Sequence, residues 1–439
     1  MSTLTSARTV STLLGLAIVC SALASGLAAT TPATPKAPAG FLTRQGSRLI
    51  LDGKEFRAVS FNKYDLFEQS ALRELAEPGK SEFGFAEQAL KELHDHDFTI
   101  LRTNMSPYWS GTWKQIWLDD DPQKQIEKRR KYFEQFDAAL DLCDRYQIRI
   151  IGSLCWFVAN LGDLGHSNLR LAMTNPNNAG RKIVEEYMRE VVTRYKDRPT
   201  IAMWELGNEW NLGADTQLAE GPIDKGGLSL TTEPVIRDRS NNFTSDNLAA
   251  CTRQMATMIR SIDAHHLITT GHSSPRPCAM HLLQAARANK GGKDGWVNDT
   301  PEQIEQILRL LHPDPIDVIS IHFYNDAVSA FGKSKTDPSN IAIYQKMAEK
   351  IGKPLLIGEI GPYEGTNRRF TDPVVIEMVR GQLQQVVQTK IPIMLYWTFN
   401  DDRLRHMADA EFQLAYGKTD EVLQQIEQAN RMVAAAEKP

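Results

Sequence analysis

The feature that most constrains the fold of this chain is a regular alternation of short apolar runs with longer amphipathic stretches. Eight of the apolar runs have the length and composition of buried parallel strands. They cover residues 57–61, 99–104, 148–155, 201–206, 267–271, 318–323, 355–359 and 393–399. The stretches between and after them include eight candidate helices, at residues 85–94, 126–145, 180–195, 245–264, 301–311, 340–351, 373–389 and 419–435.

Eight strand and helix units in this order are typical of a (β/α)8 TIM barrel. A doubly wound open sheet is the competing α/β architecture, but no GxGxxG sequence follows the first predicted strand. We therefore predict an α/β fold of the (β/α)8 class in one domain over residues 41–439. A β-hairpin formed by residues 41–43 and 48–51 is expected to cover the bottom of the barrel.

The N-terminus has the features of an export signal. Arg8 is the one charged residue before Lys36, and residues 10–24 are almost all apolar or small. Such a run is too short to span a bilayer comfortably, so residues 1–29 are predicted to be a cleaved signal peptide. Residues 30–40 (TTPATPKAPAG) form a Pro/Ala/Thr-rich tether. We expect a secreted or periplasmic protein without membrane attachment after cleavage.

Composition excludes some functions and leaves one structural question open. The formal charge of −4 over 439 residues, with no basic cluster, argues against a nucleic-acid partner and against a polyanionic substrate. Four cysteines remain after the signal, at positions 143, 155, 251 and 278. Either disulfides or buried free thiols fit an exported chain. No cysteine or histidine cluster has zinc spacing, so we expect no metal.

Functional groups of a TIM barrel lie at the C-terminal ends of its strands. Glu209 follows the fourth predicted strand, and Glu359 ends the seventh. These positions place two carboxylates across the barrel mouth from each other. Hydrolysis of a glycosidic bond needs such a pair, because one carboxyl group protonates the leaving oxygen while the other attacks or stabilises the oxocarbenium-like centre.

Motifs at these strand ends resemble those of glycoside hydrolase clan A. Residues 204–209 (WELGNE) resemble the WELxNE signature of the fourth strand, and residues 356–361 (LIGEIG) resemble the nucleophile motif of the seventh. Further matching residues end the second, sixth and eighth strands: Arg102, His322, Tyr324 and Trp397. The best fit, over residues 41–420, is to family 5, which contains cellulases and β-mannanases. No single motif is specific to this family, but the whole set of motifs in this order along the chain is.

The resemblance implies a retaining glycosidase that acts by double displacement and needs no cofactor. Glu209 would be the general acid/base and Glu359 the nucleophile. The nucleophile has to be ionised, so a low pKa is expected for Glu359. Arg102, as a permanent cation, and the Tyr324 hydroxyl, as a hydrogen-bond donor, would both lower that pKa.

Three more residues would contact the sugar or the acid/base. Asn208 would bind the 2-hydroxyl, His322 would hydrogen-bond Glu209 or the sugar, and Trp397 would stack on a sugar ring. Many cellulases of the family have a histidine after the third strand, where this chain has Cys155 and Trp156. This difference favours mannan-type substrates slightly and makes Trp156 a candidate sugar platform.

Other residues near these motifs have structural interpretations. Glu205 is expected to be an inward-facing partner of Arg102. Trp204 and Trp296 are expected to be packing residues. The loop over residues 211–246 is long and polar, and its position after the acid/base strand favours a wall of the substrate cleft.

The sequence therefore predicts an exported, monomeric β-glycanase that acts on a polysaccharide or oligosaccharide, of the endo-β-1,4-mannanase or glucanase type. An exo-acting β-glycosidase or transglycosylase on the same barrel is the first alternative. A barrel that binds carbohydrate without turnover is the second, although retention of both carboxylates with Arg102 and Tyr324 argues against it.

Overall fold

The computed structural model describes residues 38–67, 83–108, 110–216, 239–288, 295–324, 331, 337–362, 369–400 and 413–435. The predicted export signal and most of the predicted tether lie outside these residues, as does the middle of the 211–246 loop. Within the described residues, no helix has both the length and the apolar character needed to cross a membrane.

The first described elements form a small antiparallel sheet. Strand β1 (Leu42–Gln45) pairs with β2 (Arg48–Leu51) across a two-residue turn, so that Leu42 lies opposite Leu51. A third strand, β3 (Lys54–Glu55), pairs with the end of β2. The predicted hairpin is confirmed, whereas β3 was not predicted.

Eight parallel strands follow and form the barrel, in the spatial order β8, β7, β6, β5, β4, β11, β10, β9. A parallel bridge between Thr269 and Val318 joins the two ends of this sheet and closes it. The predicted (β/α)8 barrel is confirmed, and each strand coincides with a predicted apolar run. The strands are β4 (Ala58–Asn62), β5 (Ile100–Asn104), β6 (Arg149–Ser153), β7 (Ile201–Glu205), β8 (Leu267–Thr269), β9 (Ile319–Phe323), β10 (Leu355–Ile360) and β11 (Ile393–Tyr396).

The α-helices of the described chain connect these strands and follow the last one. They are α1 (Phe83–Asp95), α2 (Ser110–Trp117), α3 (Pro122–Arg145), α4 (Asn160–Asp163), α5 (Leu169–Thr174), α6 (Ala179–Tyr195), α7 (Ser245–Ile262), α8 (Ala279–Arg287), α9 (Pro301–Leu311), α10 (Ser339–Ile351), α11 (Pro373–Thr389) and α12 (Asp420–Ala435). Side-chain caps begin several of them: Thr300 and Gln303 form a capping box at α9, where proline follows the cap.

Two apolar layers hold the barrel together. The larger lies between the sheet and the helices, and the smaller fills the bottom of the barrel. Leu42 and Leu49 of the hairpin pack into the smaller layer with Ala58 and Ile151, at the N-terminal ends of the barrel strands. The hairpin therefore covers the bottom, as predicted, and the strands' C-terminal ends form the opposite face.

The four cysteines in the part of the chain that the structure describes are buried free thiols. They are Cys143, Cys155, Cys251 and Cys278. Burial raises the pKa of Cys143 to about 12, because the thiolate loses its solvation in the core. The structure therefore selects the free-thiol alternative over disulfides.

Candidate active site

The site at the C-terminal face is built around the side chain of Arg102. This residue lies within β5, and its side chain is fully buried. Its Nε and Nη2 atoms donate to the two oxygens of Glu205, each at 2.8 Å. This bidentate pair has the planar geometry that guanidinium and carboxylate groups favour. The predicted partnership of Glu205 with Arg102 is confirmed.

The remaining N–H groups of Arg102 bind three other side chains. Nη2 donates to Asn208 Oδ1 at 2.7 Å, and Nη1 donates to Glu359 Oε1 at 2.7 Å and to Asn62 Oδ1 at 3.1 Å. A guanidinium has five N–H donors, so every one of them is used. Arg102 thus fixes four side chains from three different parts of the chain.

The charge of Arg102 is stable in this environment. Burial lowers the pKa of Arg102, but the carboxylates of Glu205 and Glu359 raise it by more, so the pKa lies above its ordinary value. The guanidinium is a permanent cation beneath the site.

Glu359 lies near the end of β10 with only 5% of its surface exposed. Its Oε1 accepts from Arg102, and its Oε2 accepts from the Tyr324 hydroxyl at 3.0 Å. The pKa of Glu359 is nevertheless raised: burial, with the nearby Glu209 carboxylate, outweighs the lowering by His322 and Arg102. The predicted low pKa is therefore wrong in its net direction, although Arg102 acts in the predicted sense.

Glu209 follows β7 in a left-handed conformation, with φ of 53°. Its backbone N–H donates to the carbonyl oxygen of Gly271 at 2.8 Å, which holds the residue at the barrel rim. Gly271 has φ of +70°, and a Cβ there would lie 1.9 Å from the Gly207 oxygen. Only glycine fits at that position. The side chain of Glu209 is 26% exposed, so it faces the opening of the site.

His322 lies between the two carboxylates. Its Nδ1 is 3.0 Å from Glu209 Oε1 and 3.5 Å from Glu359 Oε1. Burial, with Arg102 nearby, lowers the pKa of His322 to about 4 although Glu359 and Glu205 raise it, so the ring is neutral at neutral pH. Glu209, His322 and Glu359 each offer one ligand atom within 4.8 Å of the others.

These three side chains are the group of the described residues that most resembles a metal site. Arg102 lies 2.7 Å from Glu359, however, and a second cation beside it would be repelled. The arrangement brings two carboxyl groups and a neutral imidazole within reach of one another beside a fixed cation.

An aromatic cluster borders the two carboxylates. Trp397 is partly exposed, and its ring stacks on Tyr64 with centroids 5.2 Å apart. Trp156 is only 3% exposed, and the Arg102 guanidinium lies 4.8 Å from the centroid of its ring. Trp397 thus keeps an accessible surface for a sugar. The ring of Trp156 is covered and supports Arg102 through a cation–π contact, which argues against the predicted sugar platform at this position.

A family model agrees with this geometry. The model described as Cellulase (glycosyl hydrolase family 5) matches residues 68–403. The chain belongs to glycosyl hydrolase family 5. It is accordingly a glycoside hydrolase, as the resemblance of its strand-end motifs implied.

Two curated proteins similar to this family 5 chain are both named as mannan endo-1,4-β-mannosidases. A probable mannan endo-1,4-β-mannosidase C of Aspergillus terreus is 26% identical over 53% of this chain and 55% of its own length. Mannan endo-1,4-β-mannosidase 3 of Arabidopsis thaliana is 25% identical over 73% of this chain and 72% of its own. The match therefore spans little more than half of the Aspergillus relative.

Solved structures share the family 5 barrel at low sequence identity. The endo-1,4-β-mannanase of Rhizomucor miehei aligns with a TM-score of 0.62 and 17% identity, over 90% of this chain and 99% of that one. The exo-β-1,4-mannosidase Op5Man5 of an Opitutaceae bacterium aligns with a TM-score of 0.55 and 16% identity, over 90% and 63%. Both likenesses concern the fold.

The structure brings together all eight residues predicted to form the site, and Trp156 among them lies against Arg102 and Trp397. It also adds residues that the sequence analysis missed. Asn62 ends the first barrel strand and Tyr64 follows it, and both contact predicted site residues. The rule that directed attention to the ends of the other strands applies equally to the end of β4, so it would have found both.

Two further expectations have opposite outcomes. Trp204 is fully buried and its indole nitrogen donates to Asp263 at 2.7 Å, as expected of a packing residue. Trp296 is 61% exposed, so the expectation that it packs inside is wrong. It lies in the connection between α8 and α9.

Proposed function

We propose that this family 5 protein is an exported, retaining β-glycanase of the mannan-degrading type, with Glu359 as nucleophile and Glu209 as general acid/base. One observation carries the proposal: an oxygen of each carboxylate lies within 4.8 Å of the other, and each group has its own partners. Arg102 and Tyr324 bind Glu359, and His322 binds Glu209.

The separation of the carboxylates supports retention of configuration. Retaining enzymes have carboxyl groups about 5–5.5 Å apart, whereas inverting enzymes need about 6.5–9.5 Å to admit a water molecule between them and the sugar. Oxygens within 4.8 Å match the first arrangement. That separation favours direct attack by Glu359 over attack by a water molecule.

In the first step, an oxygen of Glu359 attacks the anomeric carbon while the glycosidic bond breaks. Glu209 gives its proton to the leaving oxygen, and a covalent glycosyl-enzyme forms. Glu359 has to be ionised for this attack, and Arg102 and Tyr324 hold its charge by donating to different oxygens.

In the second step, water takes the place of the departed sugar. Glu209, now ionised, accepts a proton from this water, whose oxygen attacks the anomeric carbon. The bond to Glu359 breaks, and two inversions give overall retention. Neutral His322, with one ring N–H beside Glu209, can donate to its carboxylate during this half of the cycle.

Two side chains are suited to hold the reacting sugar. The Oδ1 atom of Asn208 accepts from Arg102, which leaves its amide nitrogen as a donor for the 2-hydroxyl. Trp397 offers part of an aromatic face, supported from behind by Tyr64, for the apolar side of a pyranose ring.

The mannan preference is supported by the names of the curated relatives and by the absence of a histidine after the third strand. The experiment is to incubate the purified protein with mannan, glucomannan, β-glucan and xylan, to size the products, and to determine the first-formed anomer by NMR. Internal cuts in mannan with the β-anomer first support the proposal. Release of single sugars from one chain end supports the exo-acting alternative. Binding without hydrolysis supports the alternative of a barrel that binds carbohydrate without turnover.

We further propose that residues 1–29 direct export and that the mature protein is a monomer. The apolar run at residues 10–24 and the small residues after it support cleavage near position 29. The intact mass of the protein recovered from the periplasm or the medium tests cleavage. Light scattering of that protein tests the monomer.

A further inference from the structure

Asn62 is a buried side chain at the end of β4 that joins two parts of the site. Its side chain is wholly buried, so it has no surface to offer a substrate. Its amide nitrogen donates to the carbonyl oxygen of Gly358 at 2.8 Å, and its Oδ1 accepts from Arg102 at 3.1 Å. Gly358 directly precedes Glu359, and Arg102 binds Glu359 directly.

The contact with Gly358 falls on an irregularity in β10. Ile357 of β10 pairs with Ile321 of β9, and Glu359 pairs with His322. An advance of two residues on β10 therefore matches an advance of one residue on β9. The register against β11 shifts over the same stretch. Such a bulge leaves a backbone group without a ladder partner and turns the following side chain. At this irregularity the amide of Asn62 donates to the buried Gly358 carbonyl and so ties β4 to the bulged backbone.

The irregularity also fits around His322. A Cβ on Gly358 would lie 2.9 Å from Nε2 of His322, so glycine lets the histidine ring lie against the bulge. Glu359, displaced by the bulge, then lies 3.5 Å from the same ring. The position of the nucleophile relative to its neighbours thus depends on the backbone that Asn62 holds.

We propose that Asn62 is a positioning residue for Glu359, acting on the bulge at Gly358 and on the Arg102 guanidinium at once. This inference rests on the proposed function, in which Glu359 is the nucleophile. Nη1 of Arg102 has two hydrogens, one bound by Asn62 and one by Glu359. The side-chain oxygen of Asn62 therefore helps to orient the Arg102 guanidinium toward the Glu359 carboxylate.

The surroundings of Glu359 make position 62 sensitive to an added charge. The groups facing Glu359 are Arg102 from β5, Glu205 and Glu209 from β7 and the turn after it, and His322 and Tyr324 from β9 and its end. Asn62 adds no charge to this set. Aspartate has the same shape, but it would oppose the Gly358 carbonyl with an oxygen and would compete with Glu359 for Arg102.

The test compares Asn62→Asp and Asn62→Ser with a matched control. Asn430 is also a buried asparagine that binds β4, since its Oδ1 accepts from the Val59 N–H at 3.1 Å, but it lies on α12 outside the barrel. For each variant, kcat, KM, the pH profile of kcat/KM and Tm are measured on the substrate that the wild-type protein hydrolyses best.

We expect kcat of Asn62→Asp to fall on the order of 10²-fold, the usual cost of a misplaced reacting group, with little change in KM. The acid limb of its pH profile of kcat/KM should move to higher pH, because the added carboxylate disfavours ionisation of Glu359. Asn62→Ser, which adds no charge, should lose kcat without that shift. Asn430→Ala should lower Tm and leave both kinetic readouts near the wild-type values.

Two results would overturn the inference. One is an Asn62→Asp protein with wild-type kcat and pH profile and a lowered Tm, as in the control, which would make Asn62 purely structural. The other is a loss confined to KM. If Asn62→Asp does not fold, Asn62→Ser decides by its kcat relative to the control. A wild-type protein without glycosidase activity, or an active Glu359→Ala, refutes the proposed function instead.

Discussion

Arg102 makes two hydrogen bonds of 2.8 Å to Glu205 and one of 2.7 Å to Glu359. One buried cation thus serves two carboxylates, so the trio has a net negative charge when both are ionised. Burial raises the pKa of Glu359, and a cation shared with Glu205 does not reverse that direction. Ionised Glu359, the proposed nucleophile, is therefore held in the fold at a cost in stability.

The first prediction concerns that cost. A carboxyl group whose pKa is higher in the folded than in the unfolded state destabilises the fold as pH rises through the interval between the two values. Below the unfolded value, about 4.3, the effect is absent. We therefore expect Glu359→Gln to have a higher Tm than the wild type at pH 7, with the difference vanishing toward pH 4. Calorimetry across that range checks this, and a lower Tm at pH 7 would contradict it.

The second prediction concerns the nucleophile in catalysis. Glu359→Ala should reduce turnover by at least about 10⁴-fold, because no group remains to form the covalent intermediate. Added azide should not yield a product of retained configuration, since an anion replacing Glu359 attacks from the same face and inverts the centre. NMR of the products identifies the anomer. A retained azide product from Glu359→Ala would assign the nucleophile elsewhere.

The third prediction concerns Glu209. Glu209→Gln should lower the rate on the order of 10²–10⁴-fold for substrates with poor leaving groups, because no proton reaches the departing oxygen. Activated aryl glycosides need little protonation and should be affected much less in their first step. The ratio of rates on the two substrate types is the measurement. Equal losses on both would argue against an acid role.

Much of the barrel was predictable because its determinants are local. Buried parallel strands are continuous apolar runs, and the helices between them carry a helical period, so each strand was located to within a few residues. The start of α3 was missed by four residues although Asp121 and Pro122 are an N-cap and first-turn pair. Strand β3 has only two residues, too few for a recognisable pattern.

The site was less predictable where it depends on contacts between distant elements. Strand ends revealed the carboxylates and Arg102, and the end of β4 would have revealed Asn62. The contact of Asn62 with the Gly358 carbonyl, however, falls on a bulge in β10 that no pattern in the sequence marks. Trp156 is covered by packing with Tyr64 and Tyr108 from other strands' ends. The pKa of Glu359 depends on burial, which follows from the assembled fold.

The fourth prediction separates two tryptophans. Trp397→Ala should raise KM and lower kcat/KM about 10- to 100-fold, since burying an aromatic face against a ligand contributes about 1.5–3 kcal/mol. Trp156→Phe keeps an aromatic ring over Arg102 and should leave KM nearly unchanged. Initial rates on the same oligosaccharide series check both. A larger KM effect at Trp156 would restore its role as a platform.

The fifth prediction concerns stability in acid. His312 is buried, its Nε2 lies 3.0 Å from Thr270 Oγ1, and its Nδ1 lies 2.9 Å from the Leu308 carbonyl. Burial lowers the pKa of His312 to about 4. A histidine with a lowered pKa stabilises the fold above its unfolded value near 6.5, and this contribution is lost as pH falls toward 4.

A shift of that size corresponds to about 3 kcal/mol from one residue. Tm of the wild type should therefore fall steeply between pH 6.5 and 4. His312→Asn should start lower at pH 7, because its hydrogen bonds are lost, and then show a shallower fall. The control is His166→Asn, an exposed histidine with φ of 49° that asparagine tolerates, which should follow the wild-type slope. Parallel slopes for wild type and His312→Asn would show that His312 does not drive acid unfolding.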